Sequence, residues 1–141
     1  MNQKNEVKIK ALEKEVFRPE IMIESPVKDS VADHIIQEVS GVVRGHFPDG
    51  YQVVAGHRET SEQSIKIHID RRGEVLSDKT FKISDIYLGS PDKGRGGTFE
   101  IFVLLMKQAD VDALGLKDGD NPFPYIPQHI AKAVTIVRRR N

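Results

Sequence analysis

The chain has 141 residues, carries Lys+Arg and Asp+Glu in equal number, 21 each, and contains no cysteine. Zero formal charge speaks against a nucleic-acid partner gripped through many phosphates, and the lack of thiols excludes disulfides, thiolate metal sites and a cysteine nucleophile. With 38% hydrophobic and 30% charged residues, no membrane span and no apolar leader, the sequence reads as a soluble, cytoplasmic, single-domain protein.

Residues 1–16 alternate charge sign around sparse apolar residues (Val7, Ile9, Leu12, Val16) and read as a flexible arm ahead of one domain over 17–141. In "FRPEIMIESP", Ile21 and Ile23 alternate with polar partners, which predicts a short strand closed by Pro26. Ser30 with Asp33 then resembles a helix N-cap with an acidic first turn. Val31, Ile35, Val39 and Val42 recur at helical spacing, and Gly45 and Pro48 supply a stop. Together they predict a helix over about 31–44.

Three strand-like segments follow "HFPDGY", a turn. They are "YQVVAGH", "SIKIHID" and "KTFKISDIYLG". The second puts Ile65, Ile67 and Ile69 on one face and Lys66, His68 and Asp70 on the other. The third puts Phe81, Ile83, Asp85 and Tyr87 on one face, against Ile86 and Leu88. Short links between them favour antiparallel hairpins. Beyond residue 114 come a loop rich in turn residues, a short helix at 128–133 and a final strand in "AVTIVRRR". The expected class is α+β, with a mainly antiparallel sheet.

Between these lies "SPDKGRGGTFEIFVLLMKQAD". As a helix, it would place Phe99, Phe102, Val103, Met106, Ala109, Ala113 and Leu114 on one stripe, with Gly115 as the stop. The glycine turn would then sit at a helix N-terminus, where free N–H groups and the helix dipole favour a phosphate. As a strand, the β-branched and aromatic run "TFEIFVLLM" would follow a hairpin loop, and "QADVDALG" would be a separate short helix. Composition alone favours the strand. Periodicity cannot decide for a run that is apolar on every side.

The stretch "IYLGSPDKGRGG…LLMKQAD" resembles the acetyl-CoA signature of the GNAT superfamily of N-acetyltransferases. That resemblance covers about 25 residues. It implies a strand ending at Ile86–Leu88, a pyrophosphate loop and a following helix through Leu104-Leu105 and Ala109-Asp110. On it, acetyl-CoA would be held by Leu88, Lys93, Gly94, Arg95, Gly96, Gly97 and Thr98. Asp85 would be the base for a small amine or protein acceptor. Tyr125, in "NPFPY" with Asn121, would stand for the family's tyrosine acid. Lys93 and Thr98 depart from the family's Arg/Gln and Gly/Ala, and the Asn121–Tyr125 spacing differs too.

The histidines at 34, 46, 57, 68 and 129 never fall at metal-ligand spacing, so no metal site is predicted. His57 and His68 could face each other across a hairpin, although a half-exposed strand histidine is the ordinary alternative. Ser64, His68 and Asp70 are triad residue types, but same-face spacing on one strand does not build a triad. Arg138–Arg140 reads as a solvated basic end. Two functions follow: an acyltransferase using acetyl-CoA, or a non-catalytic module, such as a viral or mobile-element accessory protein, binding a protein or nucleotide partner through its sheet.

Overall fold

The computed structural model describes residues 18–60, 66–117 and 121–140. The expected arm over 1–16 lies outside these residues. Strands β1 (Glu20–Ser25), β2 (Ser30–Ala32), β3 (Ile35–Arg44), β4 (Tyr51–Glu59), β5 (Ile67–Glu74), β6 (Thr80–Tyr87) and β7 (Thr98–Lys107) lead into helix α1 (Gln108–Ala113). Strands β8 (Pro122–Phe123) and β9 (Ala131–Arg139) follow. A three-stranded sheet, β1-β3-β6, faces a six-stranded one, β2-β9-β7-β4-β5-β8, which curls as a half-barrel. Every pairing is antiparallel except β2 with β9.

The α+β expectation is therefore corrected. Strands make up 57% of the described residues and helix 5%, so the fold is mostly β. The residues expected as a helix over 31–44 form β2 and β3 instead. Of the stripe Val31, Ile35, Val39 and Val42 only Val39 is buried, and these β-branched residues suit a pleated sheet better than a helix. Strand β3 also slips its in-out phase once: Ile36, Val39 and Val43 are buried while Gln37 and Glu38 are both exposed.

The paired strand slips at the same level. On β6 Ser84 and Asp85 are both exposed, and Asp85 has φ 63. Aspartate tolerates this left-handed conformation better than most residues. Glu38 stands opposite Ser84 and Ile36 opposite Ile86, so the two strands turn together. Phe81, Ile83, Ile86 and Leu88 all point inward as a result, where simple alternation would separate Phe81 and Ile83 from Ile86 and Leu88.

The helical alternative for 98–114 is likewise corrected. β7 runs to Lys107, and only Gln108–Ala113 is helical. Phe99, Ile101, Val103 and Leu105 enter the core between the sheets, while Phe102, Leu104 and Met106 enter a second core on the sheet's outer side. A strand flanked by β4 and β9 and covered on both faces is apolar on both faces, which explains the missing period. Val111 of α1, with Leu114, Leu116, Phe123 and Ile126, covers the outer side. The short helix expected at 128–133 is absent, because Ala131 already begins β9.

The turn between β5 and β6 is shaped by Asp78. The Thr80 hydroxyl and then the Thr80 amide donate to its carboxylate, at 2.6 and 3.0 Å, and hold it below the ordinary range. No described helix is long and apolar enough to cross a membrane.

Phe81 is fully enclosed between the sheets, so Phe81→Ala should cost about 3–5 kcal/mol in urea unfolding. Asp85→Gly should be near neutral in the same assay, whereas Asp85→Val should cost roughly 1–2 kcal/mol, because a β-branched residue is strained at positive φ. Equal losses for the two Asp85 variants would refute the backbone account.

Candidate functional site

The glycine turn is organised by a cation from the other end of the chain. Arg139, the last residue of β9, is buried. Its guanidinium donates to the carbonyl oxygens of Leu88 (2.8 Å), Pro91 (3.0 Å) and Lys93. Its backbone amide donates to Gly97 and its carbonyl accepts from Gly96, at 2.8 and 3.1 Å. Gly94, at φ 91, lies so close that a Cβ there would stand 2.9 Å from the guanidinium. The loop thus turns carbonyls inward around a positive charge. The amides of Lys93 and Gly97 are bonded to Ser90 Oγ and to the Gly94 carbonyl, at 3.1 and 3.0 Å.

The residues expected to hold acetyl-CoA fall here. Leu88 is wholly buried and gives its amide to His34. Arg95 folds back on the Pro91 carbonyl, 2.9 Å away, and on Asp92. Thr98 begins β7 rather than a helix, so the loop opens into a strand, and the dipole that supported the cradle argument is not there. Asp85 and Tyr125 are not brought together. Asp85 is exposed on the three-stranded sheet, whereas Tyr125 is exposed in the segment whose neighbours Phe123 and Ile126 cover the outer face of the other sheet.

The structure assembles a different group. His57 on β4 stands directly opposite His68 on β5, with their rings stacked at 5.0 Å and 12°. His57 Nδ1 lies 2.7 Å from Asp70 Oδ2, and both residues are buried. The pair depends on a bulge. Ala55 pairs with Arg71 and Gly56 with Ile69, so Asp70 is the additional residue on β5. Such bulges re-aim side chains, and here the carboxylate meets the imidazole. Gly56 makes the close approach possible: a Cβ there would collide with the His68 carbonyl and with the Phe102 ring.

The expected alternation of β5 holds for its described residues, with a reversed meaning. Ile67 and Ile69 join the outer core. The polar face, His68 and Asp70, meets His57, whose neighbours Val53 and Ala55 on the same face of β4 line the main core. Phe99 forms a wall, its ring centroid 6.0 Å from that of His57. Glu59 approaches from the same end, since a Cβ on Gly97 would meet its carboxylate at 2.7 Å and the Phe99 ring at 3.3 Å.

A carboxylate only accepts, so Nδ1 is the donor and, in the neutral ring, Nε2 holds the lone pair. Among the described residues Nε2 has no hydrogen-bond partner, and no fully buried side-chain nitrogen or oxygen is left unpaired, so Nε2 touches solvent. Sequence pattern signalled that His57 and His68 could meet. Alternation also set Asp70 on the face of His68, but it gave no sign of the bulge that brings Asp70 to His57, because a bulge has no composition of its own. Ser64 lies outside the described residues. No group of three or more metal-ligating side chains is present among the described residues.

Removing the Arg139 guanidinium strands inward-facing carbonyls. Arg139→Ala should therefore lower unfolding free energy by roughly 3 kcal/mol. Arg139→Lys should recover little, because a point charge cannot reach three acceptors as the planar fork does. Hydrogen exchange over 88–97 should accelerate in both variants, and unchanged protection there would refute the brace. Comparison with protein-family profiles, with curated proteins and with solved structures finds no match for this chain.

Proposed function

We propose that the protein is a β module that binds a partner protein through the outer face of β9 and β2. The observation that supports this is how incompletely the six-stranded sheet is covered. Helix α1 and the segment after it close the outer face over β4, β5 and β7. On β9 the outward row continues beyond that cover as Ile130, Lys132, Val134, Ile136 and Arg138, with Val31 of β2 beside Arg138. Ile130, Val134 and Val31 are 41%, 45% and 49% exposed. Phe102, opposite Val134, does not shield it, because its ring lies over Gly56 on the far side.

Charge defines the partner. Arg58, Arg72, Arg95 and Arg140 are each ion-paired with Glu100, Asp112, Asp92 and Asp33. Lys132 and Arg138 are exposed and make no ion pair among the described residues. An apolar row bracketed by two uncommitted cations fits a protein segment whose apolar side chains are flanked by carboxylates.

A photoreactive phenylalanine analogue at position 134 should cross-link one protein from the source cell, while the same analogue at exposed Leu76 should not. Val134→Asp should lower affinity for the isolated partner by at least about tenfold, as expected for charge placed in an apolar contact. Lys132→Glu with Arg138→Glu should abolish binding, and Lys or Arg at the partner's acidic positions should restore it. Cross-linking equal at 134 and 76, or no rescue by charge reversal, would refute the proposal.

A further inference from the structure

We propose that His57 is a catalytic general base for hydrolysis of small, uncharged carboxylic esters, with Asp70 as its positioning residue. This site is on the opposite face of the six-stranded sheet from the binding row and is independent of it. Several observations converge. The polar face of β5 turns toward the side where core residues are expected. The bulge aims Asp70 at Nδ1 at 2.7 Å. The imidazole is fixed further by its stack on His68 and by Phe99. Its remaining nitrogen touches solvent although the residue is only 7% exposed. A histidine needed only to satisfy Asp70 does not require that outlet.

The chemistry is that of a base held in one tautomer. Water attacks the ester carbonyl carbon as Nε2 takes its proton. The tetrahedral adduct collapses with cleavage of the bond to the alcohol oxygen, which receives that proton from the imidazolium. A carboxylic acid and an alcohol leave, and the neutral ring is regenerated. The balance needs no co-reactant besides water. Substrate class follows from the walls. With His57 only 7% exposed, little room is left beside the ring, which selects a small acyl group. Phe99 offers an apolar surface, and the Asp70 carboxylate disfavours an anionic phosphoester.

The test is hydrolysis of 4-nitrophenyl acetate, followed by release of 4-nitrophenolate at neutral pH, with 4-nitrophenyl phosphate in parallel. The wild-type chain should exceed five equivalents of free 4-methylimidazole, matching its five histidines. His57→Gln should lose a factor of about 10²–10⁴. Because it removes the donor to buried Asp70, its melting transition should fall, so its rate is read at a temperature where it is folded. Asp70→Asn should lower kcat at least about tenfold with KM little changed, as for loss of an interaction that acts only in the transition state. A purely structural pair would not separate the two parameters. A wild-type rate no greater than that of the free imidazole overturns the proposal whether or not the variants fold. So does equal activity in folded His57→Gln. Faster cleavage of the phosphate ester overturns the substrate class.

Discussion

A strand that is apolar on both sides has to be covered on both sides, and β7 imposes that condition on this protein. Seven of its ten residues divide between two cores. Water cannot be tolerated on either face, because each buried side chain of this size contributes about 1.5–3 kcal/mol. One face is met by the three-stranded sheet. The other is met by a short helix and a largely irregular segment, and their reach is limited. Where they stop, β9 and β2 keep an apolar row in contact with solvent, so the proposed binding face is what remains after β7 has been covered.

The two ends of β7 are managed differently. At its C-terminal end the chain turns into α1 and supplies the outer cover directly. At its N-terminal end the glycine turn has to be fixed without a helix or a ladder of its own. Arg139 does this from β9, the strand paired along β7. Three carbonyl oxygens converge on one guanidinium, a use for which the planar fork suits arginine better than lysine. The result is a loop whose inward carbonyls are taken up by a guanidinium of the same chain. Glycines serve this design as they would a phosphate cradle, because both need positive φ and close backbone approach.

His57 and Asp70 owe their pairing to a local exception in the sheet. Regular pairing of β4 with β5 has no additional residue, and the bulge inserts one at Asp70. The same strand pair carries Gly56, which lets Phe102 cross over β4. Phe102 therefore links the two surfaces: its ring seals the sheet behind the histidines and leaves Val134 uncovered on the neighbouring strand.

Sequence by itself determined most strands. The alternation of Ile21 and Ile23, the sides of Ile67 and His68 on β5, and the final strand through Val137 were all legible, because period-two patterning is a local property. It also carried the possibility that His57 meets His68, since strand order and short links fix which residues can face one another. Tertiary structure decided the rest. The slip at Gln37–Glu38, matched by one at Asp85 on a paired strand more than forty residues away, put Ile36 rather than Ile35 into the core. Burial of β7 on both faces erased the period that separates helix from strand. The direction of the loop carbonyls depended on Arg139, and the Asp70 partnership on one additional residue in a ladder. Local sequence reports what each segment prefers; which groups meet is set by long-range pairing, and chemistry in this protein depends on the meeting.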